Sequence, residues 1–265
     1  MIIPFPFHPF SSLAVILLSA LFVLQCSTST STNDGGTPGD LPDQSSNRLS
    51  VGSSAADFIR DDEFSSLVIE IQFQGDATLL AGSIDAMIEF AQDHTTKPGG
   101  VQVLIDGPLP TGRADRYTFE ELTAIEQQNR AFYNTDSALK IYFLIVDGVF
   151  DGAEPALLGK TYYNTSAAVF LRTILDQTEN EIEETVRKKL ETTILKHSLG
   201  RMLGLVGNGT PMVEDHQQDD FYCDEHTCLM HSSMGTVEVA EYITEFDSVP
   251  ELDEQCMADL HAKGL

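Results

Sequence analysis

Basic residues are scarce in this 265-residue chain: 15 Lys and Arg stand against 41 Asp and Glu, a formal charge of −26. With a pI near 4.3, such a surface repels phosphate backbones, which argues against nucleic-acid binding and against docking directly on anionic lipid. Long hydrophobic runs are lacking too. The longest, Leu13–Leu24 (LAVILLSALFVL), has twelve residues, short of the roughly 20 that a membrane-spanning helix needs. There are only four cysteines and no visible internal repeat. A hydrophobic share of 42% excludes wholesale disorder.

The short apolar run is of signal-peptide length. It ends just before Cys26, and a Ser/Thr/Gly-rich stretch, STSTSTNDGGTPGD, follows. This arrangement resembles a bacterial lipoprotein signal, although the first ten residues carry no Lys or Arg and Gln25 is bulky. The resemblance implies lipidation at Cys26, export, and a place in the cell envelope (the outer membrane) or outside the cell, with membrane contact through the lipid alone. Cleaved secretion and an uncleaved anchor are the other readings. The expected organisation is a signal over 1–26, a flexible polar tether over 27–56, and one domain over 57–265, divided into 57–206 and 207–265.

Within that domain, Ser66–Phe73, Val101–Ile105 and Lys140–Val146 read as strands, the last central because it is nearly all apolar. Ala77–Gln92 has apolar residues at helical spacing. Thr118 before Phe119-Glu120-Glu121 is a helix start, and Leu157–Phe170 contains a further extended segment. Glu179–Leu205 is the longest helical pattern, and Asp253–Lys263 predicts a short terminal helix. The β-α-β-α-β order predicts an α/β (α+β) layered sheet.

The chemistry-bearing residues concentrate in 196–234, which hold His197, His216, His226, His231, Cys223 and Cys228. A zinc peptidase helix carries two His at i and i+4, which share a face, with a Glu after the first to activate the metal-bound water. Here His197 holds the first position, Ser198 the place of the Glu, and Arg201 the place of the second His.

The string LETTILKHSLGRMLGLVGNGTPM with CDEHTCLMHSSM resembles the metzincin superfamily of zinc metallopeptidases, and in particular bacterial lipoproteins described as membrane metalloproteases. The Cys-x4-Cys-x-Met element is also similar to that of the archaemetzincins. The resemblance implies a twisted sheet backed by helices, a long active-site helix, and a small irregular C-terminal subdomain with a cleft between. It makes Met230 the Met-turn residue beneath the metal and His216 a remnant third ligand. The departures set the functional expectation. Ser198 is not basic at pH 7, and losing a general base costs about 10²- to 10⁴-fold. Arg201 removes a ligand and adds a charge that would repel Zn²⁺ by about 8 kcal/mol at 4 Å and an effective dielectric of 20.

The expected function is therefore that of a non-catalytic pseudopeptidase, binding a peptide or protein in the old substrate cleft with Arg201 as a cationic anchor and with no cofactor. The alternatives are an active zinc metalloendopeptidase with ligands rearranged around His197, His216 and His226 or His231, and a structural surface lipoprotein. For the cysteines, an oxidising compartment favours a Cys223–Cys228 disulfide with Cys256 buried or differently paired. The rival is a structural zinc on Cys223, Cys228, Cys256 and His261. Asn164-Thr-Ser and Asn208-Gly-Thr are taken as chance glycosylation matches.

Overall fold

The computed structural model describes residues 44–110, 115–135, 137–152, 155–178, 184–246 and 248–265; the expected signal, Cys26 and most of the tether lie outside them. Helix α1 (Ala55–Ile59) opens the fold. It is followed by β1 (Ser66–Gln74), α2 (Ala81–Asp93), β2 (Val101–Leu109), β3 (Arg116–Tyr117) and α3 (Phe119–Asn129). Then come β4 (Ala138–Val146), β5 (Val149–Phe150), the hairpin β6 (Gly159–Tyr163) and β7 (Ser166–Phe170), α4 (Leu171–Thr178), α5 (Glu184–Met202) and α6 (Glu254–Lys263). No helix among the described residues is long and apolar enough to cross a membrane.

Five strands form a mixed, mostly parallel sheet in the order β2-β1-β4-β7-β6. The first four run parallel, and β6 returns antiparallel to β7 as the outer strand. The apolar segment expected at the centre, β4, is the middle strand. Strand alternation divides the sheet cleanly. Leu67, Ile69 and Ile71 of β1, Ile141 and Phe143 of β4 and Val169 of β7 pack with Met87 of α2 and Leu190, Ile194 and Leu199 of α5. On the opposite face Tyr142, Leu144 and Phe170 meet Leu122 of α3. A capping box on Thr118 and Glu121 starts α3 as the sequence predicts.

The domain begins earlier than expected. Asn47 is fully buried and donates through Nδ2 to Asn134 Oδ1, Lys140 O and Thr165 Oγ1. Asn164 donates to Ser46 O and Ser54 Oγ and accepts from Leu49 N. Residues 44–56, expected in the tether, are thus tied to the sheet by hydrogen bonds rather than by apolar contacts. The same network buries Asn164.

Helix α5 is buried from Leu190 to Gly200, running between the sheet and residues 229–243, whose Leu229, Met230, Val239 and Ile243 join the same core. Glu191 fixes its position: one carboxylate oxygen accepts from Leu80 N at the start of α2, the other from Arg187. The helix ends at Gly204, whose φ of +69° would put a Cβ 2.5 Å from Asn208 O, so only glycine turns the chain here.

Candidate functional site

Two sites emerge on either side of Met230. The first is a cavity of about 140 Å³ between β6, the end of α5 and residues 232–236. His197 sits in it almost fully buried. Its Nδ1–H donates to Leu229 O at 2.8 Å, which leaves the Nε2 lone pair without a proton. Burial, with Arg201 and His231 nearby, pushes its pKa down to about 4, so the ring is neutral at pH 7. Tyr222 stacks parallel to it at 5.9 Å.

The Arg201 guanidinium is 4.5 Å from the Tyr222 ring centroid, and Nη1 donates to the carbonyls of Asp220 and Phe221. Those two residues adopt positive φ, 45° and 63°, a conformation that side-chain-bearing residues enter only when surroundings hold them. Ser198 lines the cavity, buried, with its hydroxyl unpartnered. Met230 is fully buried and its Sδ rests on Gly200, where a Cβ would fall 2.3 Å from it. It therefore lies against α5 one turn beyond His197.

The second site is a thiol cluster behind that turn. Cys223, Cys228 and Cys256 are buried and free; the expected Cys223–Cys228 bond is not formed. Cys228 Sγ lies 3.7 Å from Cys256 Sγ, and Cys223 Sγ lies 3.5 Å from His216 Nδ1, itself 4.0 Å from Cys256 Sγ. Donation from the Cys223 and Cys256 thiols holds Cys228 well below the usual thiol range. Backbone N–H groups of Glu225 and Met230 point at the Cys223 and Cys228 sulfurs. His216 turns its Nε2 to Asp259 Oδ2 at 2.9 Å, which leaves Nδ1 facing the sulfurs. Burial alone would lower the His216 pKa, but the bonds to Asp259 and Cys223 outweigh it and raise it.

His216, Cys223, Asp253 and Cys256 have donor atoms all within 4.8 Å of one another, a group able to hold a metal ion. A tetrahedral zinc with sulfur arms of about 2.3 Å has sulfur–sulfur edges of about 3.8 Å; Cys228 Sγ stands at that distance from Cys256 Sγ, outside the group of four. Asp253 already accepts from Cys256 N as the cap of α6. The carboxylate behind the histidine is the usual orienting partner of a metal-bound imidazole.

These placements correct three expectations. His216 is not a third ligand for His197, because its ring is committed to the thiols and Asp259. His261 is exposed and outside the cluster; His216 takes the role the sequence reading gave it. The expectation of no cofactor does not survive a buried set of donors matched to a metal. His226 and His231 stand apart, with rings 5.1 Å from each other and His226 4.5 Å from Tyr242, and His231 caps the turn through Ser233. Among the described residues, no group of three metal-ligating side chains gathers at His197.

No protein-family model and no curated protein matches the sequence. Among solved structures the chain is similar to archaemetzincin from Methanopyrus kandleri, with a TM-score of 0.49 and 15% identity over 76% of this chain and 95% of that one. It is also similar to metalloproteinase-II from Bacteroides fragilis, with a TM-score of 0.44 and 14% identity over 80% of this chain and 60% of that one.

Sequence reading missed Tyr222, whose ring contacts both the histidine and the arginine, and the acids Asp253 and Asp259. Asp259 had a signal: it shares a helix stripe with buried Cys256 and Leu260, an unusual place for an acid without a partner.

Proposed function

We propose that this protein is a non-catalytic relative of the zinc metallopeptidases. In this reading it binds peptide in the cleft beside His197 and holds one structural zinc behind it. The observation that carries the reading is the commitment of His216. With that ring turned to Asp259 and the thiols, His197 keeps Ser198 and Arg201 as its helix neighbours, and neither supplies a ligand or a base. Arg201 is occupied with Tyr222 and the 220–221 carbonyls, and its fixed positive charge is near enough to help keep His197 neutral. His216, Cys223 and Cys256 would hold the zinc, with Cys228 moving in as the fourth donor in place of Asp253, which caps α6. The metal would supply folding stability rather than chemistry, by joining the 216–228 loop to α6.

Export with lipidation at Cys26 is part of the same proposal, resting on the leader and the polar stretch after it. Thiolates held by zinc would withstand an oxidising compartment that would otherwise pair them. Contact with the membrane would come through the lipid alone, and nucleic acid would be excluded by charge.

Metal content tests the reading. One zinc per chain, kept in His197→Ala, lost in Cys228→Ser and Cys256→Ser, and accompanied by no peptide cleavage is the expected result. A zinc lost with His197→Ala, together with cleavage that disappears in the same variant, would establish the catalytic alternative. Detergent partitioning and the mass of the mature N-terminal peptide test the anchor. An unmodified terminus away from Cys26 would end that part.

A further inference from the structure

We propose that the His197 cavity is a carboxylate pocket that takes the free C-terminus of an extended peptide; this rests on the peptide-binding reading above. Among the described residues the cavity is lined by Lys160 and Arg201 and by no acidic side chain, on a chain where acids outnumber bases 41 to 15. Clearing carboxylates from one hollow of so acidic a protein creates a local field that attracts an anion.

The donors in the hollow are only partly committed. Ser198 is 1% exposed, its hydroxyl has no partner, and a buried hydroxyl left so is costly unless something completes it. Arg201 spends Nη1 on two backbone carbonyls and is braced by Tyr222. It makes no ion pair among the described residues, so its planar fork remains for a carboxylate. Lys160 is likewise without an acidic partner there, its Nζ 5.5 Å from the Phe150 ring. His197, neutral, presents an acceptor and no charge.

The approach is set by β6. It is the outer strand of the sheet, and its residues Gly159, Lys160 and Thr161 form one wall of the cavity. A peptide lying along that edge would gain main-chain pairing. Residues 235–237 occupy the edge beside the start of β6, where Leu158 N donates to Gly235 O and Val237 N to Ala156 O. The peptide therefore has to stop at the cavity instead of running past it. A chain end, which carries a carboxylate, suits a groove closed at one side and lined with donors.

The test uses the full chain and two pools of N-terminally dansylated pentapeptides, identical except for a free carboxylate or a carboxamide at the end, with binding read by fluorescence anisotropy. The free-acid pool should bind about tenfold or more tightly than the amide pool. Arg201→Gln should remove that preference, bringing the ratio of free-acid to amide binding to about one. Lys160→Gln, at a surface position, should reduce the preference in part and supplies a second reading should Arg201→Gln not fold. Equal binding of both pools would overturn the carboxylate pocket and leave peptide binding standing. Binding of neither pool would overturn both. A carboxamide peptide with an internal Glu that binds as well as the free acids would assign the pocket to a side-chain carboxylate and overturn the chain-end proposal.

Discussion

Gly200 illustrates how far a single atom matters in this molecule. In most helices Gly→Ala gains about 0.5–1 kcal/mol. Here the new methyl would meet Met230 Sδ, so Gly200→Ala should instead destabilise by about 1–3 kcal/mol, seen as a lower melting temperature. In a Met230→Ala background, itself destabilised by the cavity, the further cost of Gly200→Ala should shrink or vanish, a coupling that a double-mutant cycle reads. His197 should give the fold a pH dependence. Its folded pKa of about 4 lies below the ordinary 6.5, so between those values the unfolded chain binds the extra proton. Stability is then fully present above pH 6.5 and is lost as the pH falls toward 4, by about 3 kcal/mol in all. Chemical denaturation at pH 7 and pH 4.5 should register the fall, and His197→Gln should remove that part of it.

On the proposed reading, α5 has the frame of a peptidase helix without its chemistry. Restoring the motif with Ser198→Glu and Arg201→His should rebuild the helical pair and allow weak uptake of a second zinc. Peptide hydrolysis should stay at background, because His216 cannot serve both centres; calorimetric titration and a peptide assay separate the two results. Hydrolysis above background would mean that another residue closes the site. Strands β1 and β4, α3 and α6 were legible because their apolar spacing and caps sit close together in sequence. Helix α4 was not, since β7 passes into it at Phe170–Leu171 with no turn residue between. Residues 44–56 were hidden for a different reason: Asn47 and Ser54 are buried by hydrogen bonds that hydropathy does not register. Sequence spacing named the site's donors but not their grouping, because His216 and Cys223 stand beside the turn that separates two possible centres. Asp259, which decides between them, arrives 43 residues after His216.

Across the whole molecule the charge of −26 works against compactness, since like charges repel more strongly in the folded shape than in the extended one. Raising the salt from about 0.01 M to 0.15 M shortens the screening length from about 30 Å to about 8 Å. The melting temperature should rise with it, at constant zinc. A flat response would place the acids in local ion pairs instead. The exposed arginine pairs, Arg60–Asp62 and Arg116–Asp151, use too few acids to expect that.

The order β2-β1-β4-β7-β6 also sets a timetable. Tyr142 of β4 waits for Ser166 of β7, about two dozen residues on, but Ser66 of β1 must find Ala138, roughly seventy residues away. Closing a loop of about 70 residues costs about 4 kcal/mol of chain entropy beyond a constant before any contact rewards it. The half of the sheet that walls the cavity, β4-β7-β6, can assemble first. Strand β1 must enter later beside a β4 already formed, bringing β2 on its outer side. A chain wired this way is expected to refold in milliseconds to seconds rather than microseconds, with the hairpin side protected from hydrogen exchange before the β1 side.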